Sequence, residues 1–179
     1  MAFKASGTGK KIIKMELFDN NKYSGAEFSE DRKYRYKLWR IWDESKNKVQ
    51  FIGLNPSSAN ETEPDNTLTR CINFAKSWGF GGMFMTNLFA YVSTDPKKLI
   101  TSDEDLFKNN RVLLEVSVEC EMTVFCWGCF KEAKLRAKDI IELFDEPFCI
   151  RKTKSGNPEH PLYLPGNLKP IRYKNNVNH

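Results

Sequence analysis

Short apolar runs alternate with amphipathic segments along most of this chain, and this alternation constrains the fold more than any other feature. Four of the runs have the length and composition of buried strands, and they cover residues 49–54, 83–88, 122–127 and 148–150. The segments between them carry apolar residues at helical spacing. Strands that alternate with helices predict an α/β fold, here a three-layer sandwich with a mostly parallel central sheet.

Helices are predicted between these strands over residues 66–78, 103–118 and 130–144, where apolar residues recur every three or four positions. Asp65 stands directly before the first of them. A carboxylate there can accept hydrogen bonds from the free N–H groups of a first helical turn. We therefore interpret Asp65 as a helix cap first and as a general base second.

An aromatic-rich segment over residues 34–42 predicts a further strand, and a polar turn separates it from the strand over 49–54. The two are expected to form a hairpin. Residues 1–30 are polar and contain three glycines, which predicts a polar N-terminal arm. The rest, 31–179, has the length of a single α/β domain with one core.

The composition excludes several classes of protein. No run approaches the roughly 18 consecutive apolar residues of a membrane-spanning helix, and residues 1–14 lack the apolar centre of a secretion signal. The five cysteines are odd in number, and several lie in apolar runs, which indicates free thiols in a reducing compartment. We expect a cytoplasmic monomer that needs no cofactor and no metal.

The net charge of +5 permits binding to nucleic acid without establishing it. Basic residues cluster within residues 4–14, 131–138, 151–154 and 169–174. Each cluster can also be read as an ordinary solvated surface. The partner that this charge favours is DNA, with a free nucleoside or nucleotide as the alternative.

Polar residues stand in the loops that follow the predicted strands. Ligand sites of α/β sheets lie beyond the carboxyl ends of the strands, so these loops are candidates for a site. Amides and hydroxyls donate and accept hydrogen bonds, histidine titrates near neutral pH, and aromatic rings can stack on a flat ligand. A planar heterocycle suits this mixture, and the candidate binding residues are Asn55, Ser57, Ser58, Asn87, Phe89, Trp127, His160 and Tyr163.

The order of four segments resembles a bacterial and phage family, domain of unknown function family 1643. The segments are residues 53–59, residues 87–90, Trp127-Gly128 and residues 160–164, and the resemblance spans about residues 34–164. More distantly, they resemble the uracil-DNA glycosylase superfamily. That superfamily has a Gly-x-Asp/Asn-Pro motif, an Asn ending a middle strand, a strand ending in Trp-Gly and a His-Pro-Ser loop. The resemblance implies a uracil-DNA glycosylase-like fold.

The same resemblance implies a role for each matched residue. Asn55 falls on the residue that positions water, as in the mismatch-specific branch, where Asn replaces Asp. Asn87 falls on the residue that reads the base, and His160 on the one that stabilises the departing base. Leu162 or Tyr163 falls where a side chain wedges into DNA. Gly53, Pro56, Ser57 and Ser58 complete the first motif, and Ser57 leaves a roomier pocket than the bulky residue of the strict uracil enzymes.

These matches predict a nucleobase-recognising domain that hydrolyses the N-glycosidic bond of a modified or mismatched base in DNA. Two alternatives stay open from the residues alone. The domain could bind a nucleic acid or nucleotide without cleaving it, because Asn55 is not a carboxylate. It could also be a thiol redox protein that uses Cys126 and Cys129, which form a C-x-x-C motif. A zinc site is less favoured, because no second close cysteine pair completes the usual spacing.

Overall fold

A seven-stranded mixed sheet forms the centre of the molecule, with the strand order β1-β2-β4-β3-β5-β6-β7. The computed structural model describes residues 20–57, 64–99 and 101–173 of the chain. The strands are β1 (Ser24–Phe28), β2 (Arg35–Ile41), β3 (Lys48–Gly53), β4 (Gly82–Asn87), β5 (Met122–Phe125), β6 (Phe148–Cys149) and β7 (Ile171–Arg172). All four apolar runs that predicted strands lie in this one sheet.

Parallel pairing is confined to the four central strands. β4, β3, β5 and β6 run parallel, whereas β1–β2, β2–β4 and β6–β7 are antiparallel. The prediction of a mostly parallel sheet is therefore wrong, because half of the six pairings are antiparallel. The predicted hairpin of the two first strands is also wrong, since β4 lies between β2 and β3.

Helices cover both faces of the sheet. They are the single turn α1 (Asn20–Tyr23), α2 (Asn66–Ser77), α3 (Asp103–Val118) and α4 (Ala133–Ile141). Phe51 packs in the core on the α2 side, and its neighbour Ile52 packs with α3 and α4 on the other side. Successive strand side chains point to opposite faces, so consecutive apolar residues in β3 serve two cores.

Local capping fixes where the helices begin. The Asp65 side chain accepts from the backbone N–H of Leu68, which places α2 directly after it. Ser102 and Asp105 form a reciprocal capping box at the start of α3. α4 begins at Ala133 rather than at the predicted residue 130, and it has no side-chain cap.

A buried polar network holds the central strands in register. The Gln50 amide nitrogen donates to Thr86 Oγ1 at 3.1 Å and to the Leu113 carbonyl at 3.0 Å. Its amide oxygen accepts from Thr123 Oγ1 at 2.9 Å. These bonds join β3 to β4, β5 and α3, so the carboxyl ends of the strands are level and Gly53 lies opposite Asn87.

Residues 24–28 show that part of the predicted arm belongs to the sheet. The edge strand β1 pairs with β2, with Gly25 opposite Trp39. A Cβ atom on Gly25 would lie 2.3 Å from the Trp39 ring, so only glycine fits beneath it. Across the three described ranges of the chain, no helix is both long and apolar enough to cross a membrane.

Candidate functional site

A polar pocket of about 220 Å³ opens at the carboxyl ends of β3 and β4. Strand ends, the start of α2 and the loops after β4 and β6 form its wall. Its lining residues are Arg35, Gly53, Leu54, Asn55, Ser57, Asp65, Thr67, Leu68, Met85, Asn87, Ser93, Thr94, Pro96, Phe130 and His160.

Asn87 ends β4 and is 2% exposed. Its amide nitrogen Nδ2 is buried and has no hydrogen-bond partner within the described part of the chain. Leaving such a donor unsatisfied costs about 1–3 kcal/mol. Because this amide lines the pocket, a ligand that carries an acceptor would remove that cost.

The backbone around Asn87 is held from both sides. The Asn109 amide of α3 donates to the Asn87 carbonyl at 2.9 Å and to the Leu88 carbonyl at 3.1 Å. On the other side, a Cβ atom on Gly53 would lie 2.8 Å from Asn87 Oδ1. The missing side chain of Gly53 therefore provides the space that the Asn87 amide occupies.

Asn55 is anchored through its amide nitrogen. That nitrogen donates to the Pro56 carbonyl at 3.0 Å and to the Ser93 carbonyl at 2.7 Å. Its carbonyl oxygen accepts no hydrogen bond from the residues that the structure describes. A carboxylate at this position would face two carbonyl oxygens, which is a physical reason for Asn rather than Asp.

Asp65 contributes a carboxylate to the pocket wall, but both of its oxygens are engaged. Oδ2 accepts from Ser57 Oγ at 2.7 Å, and Oδ1 accepts from the Leu68 N–H at 2.8 Å. The second bond is the helix cap of α2. This geometry agrees with the cap interpretation that we preferred for Asp65.

His160 lies at the start of a 3-10 turn that spans Pro161–Tyr163. Its Nδ1 accepts from the backbone N–H of Leu162 at 3.3 Å, so the proton of the neutral ring is on Nε2. Burial lowers the pKa of His160, and the nearby Asp65 carboxylate only partly offsets this. The pocket therefore holds a neutral imidazole that can donate from Nε2.

Arg70 of α2 holds the loop that carries His160. Its Nε donates to the Pro161 carbonyl at 3.4 Å, and its Nη2 donates to the Leu164 carbonyl. No signal in the sequence predicts this role, since an arginine in a helix resembles any solvated residue. The contacts tie the His160 turn to the same helix that presents Asp65.

The predicted site residues separate into four groups. Gly53, Asn55, Ser57, Asp65, Asn87 and His160 line the pocket. Pro56 lies behind it, with its carbonyl engaged by Asn55 and by the Ser93 N–H. Outside the pocket wall are Phe89 and Trp127, which pack in the core with Phe125, and Leu162 and Tyr163, which are exposed. Ser58 lies outside the described residues.

Several lining residues were not predicted, among them Arg35, Thr67, Ser93, Thr94 and Phe130. Ser93 and Thr94 lie in the loop after β4, which the rule that sites lie beyond strand ends made a candidate, although neither residue was singled out. Arg35 is 4% exposed, although its place in an aromatic strand suggested no role. Arg35 begins β2, and its position beside the pocket can be predicted only once the order of the strands in the sheet is known.

The C-x-x-C motif does not have the geometry of a thioredoxin-like site. Cys126 is buried and its Sγ contacts the Ile52 carbonyl at 3.4 Å, whereas Cys129 is exposed. The helix after them starts only at Ala133, so neither sulfur lies at the N-terminus of a helix.

The other buried thiol near Cys126 is not activated either. Contact with Cys126 and burial raise the pKa of Cys71 well above its usual value. Among the described residues, no three His, Cys, Asp or Glu side chains are grouped to hold a metal.

Fold and site together define an α/β protein with a small polar pocket at the carboxyl edge of its sheet. Residues 35–162 match a family described as protein of unknown function, DUF1643, and the chain belongs to this family. The matched range includes the pocket residues from Arg35 to His160. A comparison with curated proteins found no match, and neither did a comparison with solved structures.

Proposed function

We propose that the pocket binds a nucleobase and that the protein hydrolyses the N-glycosidic bond joining this base to its sugar in DNA. The observation that carries the proposal is one pocket lined by a buried amide nitrogen without a partner on Asn87, a neutral imidazole donor on His160 and an anchored amide on Asn55. A uracil-DNA glycosylase-like fold is part of the proposal. It is supported by the resemblance of the four sequence segments.

Two donors serve the departing base. Asn87 Nδ2 donates to an oxygen on the edge of the bound base and so gains the partner that it lacks without ligand. His160 donates from Nε2 to a base oxygen as negative charge develops there during bond cleavage. A fixed neutral donor in a partly buried site stabilises that charge without reorganising.

Asn55 positions the attacking water, whose oxygen bonds to the sugar carbon as the N-glycosidic bond breaks; the proton that the water loses ends on the departing base anion. Its amide nitrogen is held by two backbone carbonyls, so its carbonyl oxygen is oriented and can accept from a water molecule. An oxocarbenium-like sugar is strongly electrophilic, as in glycoside hydrolysis, so a well-placed water matters more than a strong base. This fits a site in which the Asp65 carboxylate is engaged by Ser57 and Leu68.

The size of the pocket favours a base over a whole nucleotide. Its volume of about 220 Å³ lies below the roughly 300–1,000 Å³ of pockets that hold drug-sized ligands. A base would fill it while the sugar and phosphates remain outside. Enzymes that act on a base in a polymer insert the base alone into such a pocket.

The test uses oligonucleotides that each contain one uracil, mismatched thymine or modified base, with release of the base followed by chromatography. His160→Ala should slow base release by about 10²–10³-fold, the usual loss for an oxyanion donor. Asn87→Asp should change the choice of base, because an acceptor replaces a donor. His179→Ala, which removes the second histidine of the chain, is the matched control. A folded His160→Ala protein with unchanged turnover and affinity would contradict the proposal.

One observation favours a second candidate, a module that binds a base without cleaving it. Asp65 is the carboxylate of the described pocket wall, and both its oxygens are already occupied. The binding module predicts that bases bind, that Asn87→Ala weakens binding, and that no free base is released from any oligonucleotide. Equilibrium binding measured beside the release assay separates the two functions.

A further inference from the structure

We infer that the protein binds a single-stranded polynucleotide along a continuous surface that starts at the pocket. The surface continues over an aromatic shelf, formed by Phe130, His160 and Tyr163, into a groove lined by lysines. The inference rests on the proposed function in one respect, that the base in the pocket belongs to the bound strand.

Three neighbouring concavities share residues, which makes the path continuous. Phe130 and His160 line both the pocket and the shelf. Cys129 and Phe130 line both the shelf and the groove. The volumes are about 220 Å³ for the pocket, 320 Å³ for the shelf and 510 Å³ for the groove. A chain with one base in the pocket can therefore place its next units on the shelf and in the groove.

The shelf exposes aromatic rings beside the pocket. Tyr163 is 79% exposed and Phe130 is 42% exposed. At the edge of the shelf, Arg151 Nε and Nη2 donate to the two carboxylate oxygens of Glu159 at 2.9 Å and 2.8 Å, so the negative charge of Glu159 is paired. Unpaired bases stack on such rings whatever their sequence, because every base has a π-face.

The groove carries three lysines in an arrangement that is unfavourable for the protein alone. Lys131, Lys134 and Lys138 line it, and none forms an ion pair with a residue of the described ranges. Lys134 and Lys138 lie four residues apart on α4, where like charges repel. Lys134 is also in the first turn, where a cation opposes the helix dipole. A chain of phosphates in the groove would relieve each of these repulsions.

The exposed rings of the shelf and the lysines of the groove together indicate a single strand rather than a duplex. A positive groove that follows the backbone, with aromatic rings for successive bases, is the usual arrangement for binding single strands. In a duplex the base faces are stacked on each other and are not available to Phe130 or Tyr163. The exposed rings would then make no contribution to affinity.

The first arm of the test measures how much the charge of the groove lysines contributes to binding. Binding of a fluorescent single-stranded oligodeoxynucleotide of about ten residues is followed by anisotropy over a range of salt concentrations. The groove variant combines Lys131→Gln, Lys134→Gln and Lys138→Gln. Each phosphate contact to a single strand contributes about −0.7 to the slope of log affinity against log salt, so the slope of this variant should be less negative by about 2.

A matched control removes the same charge elsewhere. It combines Lys22→Gln, Lys46→Gln and Lys48→Gln, at the opposite ends of the strands, where Lys22 pairs with Glu44 and Lys48 begins β3. Its slope should remain that of the native protein. If both variants make the slope less negative by the same amount, binding follows net charge alone and the path through the groove is wrong.

The second arm measures stacking. Tyr163→Ala should weaken binding of the single strand by about 5- to 150-fold, the usual loss for one stacked base. Tyr163→Phe keeps the ring and should bind as the native protein does. Because Tyr163 is exposed, both variants should unfold at the native temperature, which a thermal melt checks. Unchanged affinity in Tyr163→Ala would overturn the inference.

Duplex and monomer arms complete the test. A duplex of the same sequence that binds as tightly as the single strand would overturn the inference, as would a nucleoside monophosphate that binds as tightly as the oligonucleotide. The oligonucleotide contains no base that the enzyme releases, so the result does not depend on hydrolysis. Tight strand binding without base release would refute the proposed function alone, and base release without the predicted strand binding would refute this inference alone.

Discussion

Gly53→Ala tests the pocket with the smallest change that the chain offers. Gly53 ends β3 opposite Asn87, and its backbone conformation is open to any residue. An added Cβ atom would lie 2.6 Å from Met85 Cε and 2.8 Å from Asn87 Oδ1. Carbon atoms prefer separations of about 3.5–4.0 Å, so both neighbours must move.

The magnitude follows from which neighbour can yield. The end of the Met85 side chain is flexible and can move aside, whereas the Asn87 side chain is 2% exposed and can make room only if its amide leaves its present position. Overpacking costs about 1–3 kcal/mol, and replacing glycine regains about 0.4–1 kcal/mol from the unfolded chain. The protein should therefore stay folded. A displaced Asn87 amide loses its bond to the ligand, which is worth about 1–3 kcal/mol, or roughly 5- to 150-fold in affinity.

The assay compares ligand affinity with the free energy of unfolding in the same preparations. Gly166→Ala is the matched control, because its Cβ atom would meet only Arg70 Nη1, at 3.7 Å. We expect Gly53→Ala to lose affinity for bases while Gly166→Ala does not. A Gly53→Ala protein that binds the base normally would show that Asn87 does not read the ligand.

Three further predictions concern single side chains. Asn55→Asp should destabilise the fold by about 2–4 kcal/mol in chemical denaturation, because two donated hydrogen bonds are lost; a variant as stable as the native protein would show that the Pro56 and Ser93 carbonyls do not select an amide at this position. His160 should titrate by NMR below its usual pKa of 6.5 as the Nε2–H tautomer, so this residue adds stability at neutral pH that is lost as the pH falls through the lowered pKa. Cys126→Ser and Cys129→Ser should leave the main activity intact; a thiol that reacts fast with a thiol reagent in the native protein, at either position, would support the redox alternative.

Local signals in the sequence predicted α2 and α3 well. The predicted start of α3 at Asp103 equals the observed one, because Ser102 and Asp105 form a capping box there. α2 starts where Asp65 predicted it, since the cap is decided by neighbouring atoms. The meeting of Asn55 and Asn87 could also be predicted, because both follow strands whose carboxyl ends lie at one edge of the sheet.

The order of the strands in the sheet could not be predicted from such local signals. The hairpin of β2 and β3 was predicted from their closeness in sequence, but β4 inserts between them. That insertion is decided by packing across the whole sheet, which no local pattern encodes. It also brings Arg35 of β2 to the pocket wall. The role of Arg70 depends on a contact with Leu164, 94 residues later in the chain.

The described groups of the pocket, taken together, favour a ligand rich in acceptors. Asn87 offers a buried N–H without a partner, and burial keeps His160 a neutral donor. Arg35 adds a cationic side chain to the wall, whereas the Asp65 carboxylate already accepts from Ser57 and from the start of α2. Two donors of the described wall, Asn87 Nδ2 and His160 Nε2, are therefore open to the ligand, and in the proposed function the free acceptor on Asn55 holds the water. Within the proposed function, a base that presents carbonyl oxygens satisfies these donors, whereas a base that presents an amino group at the same edge leaves the Asn87 donor unpaired at a cost of about 1–3 kcal/mol.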